Sequence, residues 1–540
     1  MKRNILSLIL LIFSYILAAQ SSIEGTVKDE AGAVQGAVIH IKELNQTTTS
    51  DSAGYFQFSN VPASNYNLIV RMMGYTEQNI KVSTSASLQP LQINLKQNNN
   101  TMNEVVVTGT LKEMRKSESP VPVEIYTPKF FLKNPTPNVF EAMSQINGVR
   151  PQLNCNICNT GDIHINGMEG PYTMVLVDGM PIVSSLSTVY GLSGIPNSMI
   201  ERIEVVKGPA STIYGSEAMA GLINIITKNP TKAPTLSFDV FATSYGEVNT
   251  DIGYRARLTD KISTLLGVNY FNLAQKWDLN KDGLTDVPLQ NRVSVFNKWE
   301  FQTKNSKANT IAIRYLYEDR WGGQMNWNKS LRGSDSIYGE TIYTPRAELI
   351  GTYHLPTKEN FMLQYSYNYH NQNSYYGKVA YMAQQHVGFA QLYWDKTIKA
   401  KHNINSGVAM RYVYYDDNTV GTSTISEGTS EVVNHPQHTI LPGIFVQYEF
   451  TPNKKHKLLT GLRYDYNVVH GSIFSPRLSY KWSPTDNDII RFNFGNGYRV
   501  VNLFTEDHQA LSGAREVILT ENLNPETSYN LNLNYLKKYV

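Results

Sequence analysis

The stretch FMLQYSYNYH, residues 361–370, decides the fold. Successive side chains of a strand point to opposite faces, so Phe361, Leu363, Tyr365, Tyr367 and Tyr369 share one face and Gln364, Ser366, Asn368 and His370 the other. The period of two returns in IIRFNFGN, where Ile490, Phe492 and Phe494 oppose Arg491, Asn493 and Gly495. It returns again in PRLSYKW, where Leu478, Tyr480 and Trp482 oppose Arg477, Ser479 and Lys481. A soluble sandwich also alternates, but its strands are shorter and its outer face seldom carries a tyrosine ladder. An aromatic outer face on long strands suits a transmembrane antiparallel β-barrel.

Outward from this stretch, roughly fourteen such runs follow from about Thr235, and their connections alternate short and long. TDKI, KNSKAN, TKEN, KAKH, PNKKH and TDND are short; the segments around 276–290, 321–346, 419–438 and 503–527 are long. Short periplasmic turns and longer outer loops are the asymmetry of a bacterial barrel. The composition agrees: 34 Tyr, 19 Phe and 6 Trp stand in a chain of 540 residues. No apolar run beyond residue 19 is long enough for a membrane helix. With 48 basic against 45 acidic side chains, the net charge of +3 gives no footing for a nucleic-acid partner.

Towards the N-terminus, Met1-Lys2-Arg3 and the apolar run ILSLILLIFSYILAA read as a secretory signal peptide, residues 1–19. Residues 22–96 read as a small Ig-like β-sandwich, with short strands such as GAVIHI and YFQF broken by turn residues. Residues 97–119 form a polar linker around EVVVTGT, 104–110. This β-prone run has no hairpin partner beside it, so its backbone groups need pairing from elsewhere. KGPAS and YGSEAMAGLINIIT then alternate glycine-permitted turns with apolar strands, as a compact domain filling a barrel would. No Gly-Lys-Ser/Thr follows these glycines, which removes a phosphate-binding loop.

Taken together, these segments resemble the TonB-dependent outer-membrane receptors of siderophore or haem type. GTVKDEAG, QGAVIHI and DSAGYFQFSNVPASNYNLIV are similar to the carboxypeptidase-regulatory-like domain that often precedes such receptors. VPVEIYTPKFF, NVFEAMSQINGVRPQ, IHINGMEGPYTMVLVDGMPI and IPNSMIERIEVVKGPASTIYGSEAMAGLINIITKNP resemble the α+β plug, residues 120–230, and EVVVTGT resembles the TonB box. The resemblance implies a mainly β chain in the bacterial outer membrane, its lipid around a barrel that starts at 235 and runs to 540, with a periplasmic N-terminal domain. It implies that Glu104, Val105, Val106, Val107, Thr108 and Gly109 pair with TonB, energised by the ExbB/ExbD complex. The cargo it implies is a metal chelate, a ferric siderophore or haem, taken up without enzymatic chemistry or a required cofactor. A passive pore or surface-binding barrel, and an oligosaccharide importer, are the alternatives. Family barrels have 22 strands and close on an aromatic residue, whereas this sequence stops at NLNLNYLKKYV with about fourteen. A C-terminally incomplete receptor is therefore expected.

No Ser-His-Asp, paired-carboxylate or His-Glu-x-x-His pattern stands in a catalytic context. Cys155 and Cys158, flanked by Asn154 and Asn159, are the sole cysteines. Export into an oxidising compartment favours a disulfide clip, on a loop the resemblance turns towards incoming ligand. Zinc would need a second cysteine pair, while a soft ion such as Cu(I) suits thiolates. DLNKDGLTD sets Asp278, Asn280, Asp282 and Asp286 around Gly283, the opening half of a weak Ca2+ loop in an outer loop, or a plain polar turn. His435 and His438 stand in NHPQH, in a long outer loop. His508 lies between Tyr498-Arg499 and Asn522-Leu523-Asn524-Pro525, an arrangement similar to the paired boxes around the axial histidine of haem receptors. YRVV departs from their stricter Arg-Ala-Pro form.

Overall fold

The computed structural model describes residues 21–29, 32–72, 75–84, 89–96, 105–131, 133–136, 138–155, 160–181, 192, 194–208, 211–215, 217–303, 307–334, 336–425, 432–500, 521 and 523–537. The signal peptide expected at 1–19 lies outside them. The chain divides into two units, residues 1–103 and 104–540.

The first unit is a sandwich of two four-stranded sheets. Gly32–Ala33, Ser21–Asp29, Tyr55–Val61 and Leu91–Asn94 make one sheet; Gln46–Thr49, Val38–Ile41, Asn65–Arg71 and Gln78–Ser83 make the other. Ile23, Val27, Ile39, Ile41, Phe56, Leu68 and Val70 fill the space between them. Each sits at an alternate position of its strand, so burial of one face specifies the register.

The second unit holds a five-stranded mixed sheet in the order Glu124–Tyr126, Ile200–Lys207, Gly221–Thr227, Thr173–Val177, Met180–Pro181. The last two strands join through Asp178 and Gly179, with φ of 50° and 80°. Asp-Gly is the pair such a two-residue turn demands, because both positions need left-handed backbone. One sheet face packs Ile203, Val205, Ile223 and Ile225 into a large core; the other packs Val206, Leu222, Met174 and Leu176 against Val106, Val121 and Val123. A separate hairpin, Val149–Cys155 with Thr160–Ile165, extends beside this sheet.

Around this plug runs a fourteen-stranded antiparallel sheet in sequential order, from Leu236–Ala242 to Glu526–Lys537. Its longest strand, Val379–Ile398, has 20 residues. The first and last strands each pair with one neighbour among the described residues. The alternation read at 361–370 holds: Gln364, Ser366, Asn368, His370, Gln372 and Ser374 are buried on the inner face. Tyr315, Tyr353, Tyr367, Val408, Ile444 and Phe474 stand exposed on the outer one. Among the described residues no helix is long and apolar enough to cross a membrane, whereas strands in a sheet satisfy each other's backbone groups there.

At one end the connections are short: 258–261, 355–359, 399–401 and 454–455. The other end carries the long ones, 274–288, 324–338 and 418–436, and the last holds its own small hairpin, Ser423–Ile425 with Val432–Asn434. Two turns at the long-loop end are tight nonetheless, at 377–378 and 468–470, so the alternation is less regular than the sequence suggested.

The strand docked on the plug, the plug seam and the candidate site residues

The segment expected to lack a partner has one close by. Val105–Val106 pairs antiparallel with Met114–Arg115, inside the stretch LKEMRKSES that reads as charged linker. The chain reverses between them through Leu111, at φ 59°, with its N–H and that of Thr110 bonded to the Val107 carbonyl. Hence the strand is docked on the plug.

The docking rests on two polar side chains in an otherwise apolar layer. Glu204, fully buried, accepts from the Val107 N–H at 3.0 Å, the Thr108 N–H at 2.9 Å and the Thr108 hydroxyl at 2.5 Å. Arg202 Nε donates to its other oxygen at 2.8 Å. Asn224, directly opposite Glu204 in the sheet, donates to Thr108 Oγ1 at 2.9 Å and accepts from the Gly179 N–H at 3.0 Å. Tyr214 sits in the same core, where burial pushes its phenol far up from the ordinary range.

Past the strand, the barrel wall takes over. Asn405 donates to the Thr110 carbonyl at 3.2 Å and Lys112 to Thr397 at 3.4 Å. Arg491 donates to the carbonyls of Ser119 at 2.8 Å and Lys116 at 2.9 Å. Thr397 is one residue from the end of its strand at the short 399–401 turn, which places the Val105–Val106 strand at the short-turn end.

Elsewhere the seam joins inward barrel cations to plug acceptors. Lys298 holds Asp178 at 2.8 Å and Arg411 pairs with Glu217. Arg499 stacks over the Tyr172 ring at 4.5 Å. A level of apolar wall residues, Leu265, Phe296, Ala312, Ile350 and Phe389, belongs to the plug's own core. Apart from Arg499, named with Tyr498 as one of the paired boxes, these seam residues did not stand out in the sequence, because an inward arginine or phenylalanine in a strand looks the same before its partner is known.

Of the other expected sites, the structure describes some. Asn154 and Cys155 end the first strand of the plug hairpin, while Cys158, Asn159, Glu104, His508 and Asn522 lie outside the described residues. His435 bonds Thr424 at 3.1 Å within the long loop. His438 does not stand in a loop: it belongs to the strand Gln437–Asn453, bonds the Tyr412 hydroxyl at 3.0 Å and packs edge-on to Tyr414. Its register opposite Tyr414 puts it on the outer wall, away from the plug. Tyr498 takes the face opposite to Arg499, so of that pair it is the arginine that faces the plug. The oxygens of Asp278, Asn280, Asp282 and Asp286 cap backbone amides, as in Gly283 N–H to Asp278 at 3.0 Å and Leu279 N–H to Asp286 at 2.6 Å. Among the described residues no three His, Cys, Asp or Glu side chains converge as a metal site. These contacts cap the Asp-Gly turn from within the loop.

Comparison with known proteins agrees with this geometry. Residues 23–107 match the CarboxypepD_reg-like domain, 115–222 the TonB-dependent Receptor Plug Domain, and 244–536 the TonB dependent receptor-like, beta-barrel family. An iron-regulated outer membrane virulence protein of Vibrio cholerae serotype O1 is 26% identical over 398 residues, 70% of this chain and 58% of that protein. The ferric enterobactin receptor PirA of Pseudomonas aeruginosa is 32% identical over 210 residues, 36% of this chain and 28% of that one. The chain thus spans less than two thirds of the length of these relatives. In fold it is similar to the ferric enterobactin receptor PfeA of Pseudomonas aeruginosa, with a TM-score of 0.58 at 17% identity, covering 71% of this chain and 63% of that one. Plug, surrounding strands and a match over more than half its length identify the chain as a member of the TonB-dependent receptor family, an outer-membrane β-barrel.

Proposed function

We propose that this chain takes up a ferric siderophore across the outer membrane, drawing energy through residues 104–110 by strand addition to TonB. One observation carries the reading: a short β-strand, held on the plug by side-chain contacts, lies at the short-turn end of the barrel. A passive pore needs neither that strand nor a plug clamped to the wall. The siderophore is preferred because PirA and PfeA are named as ferric enterobactin receptors.

The test uses the receptor in outer membranes. Deleting residues 104–110 should leave ferric-siderophore binding, read by quenching of intrinsic fluorescence, unchanged and abolish uptake of labelled iron. Uptake that survives the deletion refutes the coupled mechanism. A Soret shift on haem titration that His508→Ala removes would replace the siderophore by haem as the cargo.

A further inference from the structure

Among the described residues, nothing neutralises Arg477. It is buried on the inner face of the strand Gly471–Trp482, between Ser475 and Ser479 on the same face. The neighbouring inward arginines are engaged: Arg463 with Asp465, Arg411 with Glu217, and Arg491 with the carbonyls of Ser119 and Lys116. Among the described residues no carboxylate pairs with Arg477 and no carbonyl accepts from it. A guanidinium taken out of water without a partner is costly, so a negative charge belongs beside it.

The groups around it offer donors. Gly461 lies directly across from Arg477, and a Cβ there would stand 2.7 Å from Thr212 of the plug, so Thr212 takes the place the missing side chain leaves. Tyr214, at the end of the short helix Ser211–Tyr214, shares a core with Leu459, which lies directly across from Ser479; the charge of Arg477 reaches its phenol. Thr212, Tyr214 and Ser479 are buried, and among the described residues none of the three hydroxyls has a hydrogen-bond partner. One guanidinium and three hydroxyls therefore meet where the plug touches the wall. Tyr214 does not supply the missing charge, because burial keeps its phenol protonated far above the ordinary range. Glu204, which also acts on that phenol, is already paired with Arg202.

We propose that Arg477, Thr212, Tyr214 and Ser479 bind a small monovalent anion, chloride, between the plug and the barrel wall. One guanidinium balances one negative charge, which favours a halide over a divalent phosphate, and each hydroxyl has a proton to donate to the ion. The close approach of Thr212 to Gly461 keeps the space small. The site is independent of the cargo and of how the receptor is energised. Lys298 with Asp178 and Arg411 with Glu217 tie plug to wall through charges of the chain itself. At Arg477 the tie passes through an exchangeable ion, so the plug's hold on this part of the wall depends on the anion in solution.

The experiment unfolds the receptor in lipid vesicles with urea, at one ionic strength, in sodium chloride and in sodium gluconate, whose anion is too large for a site this buried. The parent should show a higher midpoint in chloride, and Arg477→Leu should abolish the difference between the salts. Tyr214→Phe keeps the ring and loses only the hydroxyl; it should reduce the difference, and it keeps the test open if Arg477→Leu fails to fold. Crystals of the receptor soaked in sodium bromide should show anomalous scattering between Arg477 and Tyr214. Equal midpoints of the parent in the two salts overturn the site, and a bromide peak beside them would mean binding at crystal concentration only. A chloride effect of the same size in parent and variants places the ion elsewhere and overturns it as well.

Discussion

In the sandwich strand Asn65–Arg71, Tyr66, Leu68 and Val70 point into the core while Asn65 and Arg71 point to water. In the barrel strand Asn360–Tyr376 the same period of two runs with the opposite sense, Gln364, Ser366, Asn368, His370 and Gln372 buried and Tyr365, Tyr367 and Tyr369 outside. Alternation therefore reports that a segment is a strand, and the solvent outside decides which face is apolar. The consequence is a difference in how each interior is held. The sandwich is held by non-directional apolar burial, the barrel interior by hydrogen bonds and ion pairs that must each be completed.

The largest effect should come from breaking such a pair. Glu348 is buried between Arg314, at 2.6 Å, and Arg346, at 2.5 Å. Glu348→Ala leaves two buried guanidinium groups facing each other, and removal of one partner of a buried pair costs about 3–5 kcal/mol. Urea unfolding of the receptor in lipid vesicles, followed by tryptophan fluorescence, should show a correspondingly earlier midpoint. An unchanged midpoint would mean that the inner wall tolerates the loss of this carboxylate, and the contrast with the sandwich would fail.

A slightly smaller loss is expected from placing a barrel-type residue in the sandwich. Leu68 is fully buried between the two sheets. Leu68→Asn loses the apolar transfer energy and buries an amide with no partner, together about 3 kcal/mol. Limited proteolysis within residues 21–96 should accelerate while the barrel strands stay protected.

Much of this organisation was legible in the sequence. The tyrosine ladder at 361–370 and its repeats announced the barrel, and EVVVTGT read as a β-prone run, as the strand Val105–Val106 is. The partner of that strand was not legible, because Met114–Arg115 sits among charged residues with no alternation to betray two paired positions. Glu204 was hidden for a related reason: in IERIEVV a carboxylate every few residues looks like a solvated strand face, although Glu201 is exposed and Glu204 is buried. His438 misled in the other direction, since Pro436 beside it reads as loop while the strand begins at Gln437. In each case the missing information was tertiary: which of two chemically similar faces meets another part of the chain.

The smallest effect tests the comparison where it is most vulnerable. Asn368 is buried on the inner wall directly across from Glu348 and Val387, and among the described residues neither its Oδ1 nor its Nδ2 has a hydrogen-bond partner; the same holds for both side-chain polar atoms of Gln385. A buried amide left unsatisfied costs free energy that a similarly sized apolar side chain does not incur. Asn368→Leu should therefore leave the urea midpoint of the reconstituted receptor unchanged or raise its stability by about 1 kcal/mol. In that event the inner wall is dry at this level, and its polarity is not needed for stability at each position. A loss of similar size would instead mean that water stands between wall and plug at Asn368, satisfying it there, so that the barrel interior differs from the sandwich core in being wet as well as polar.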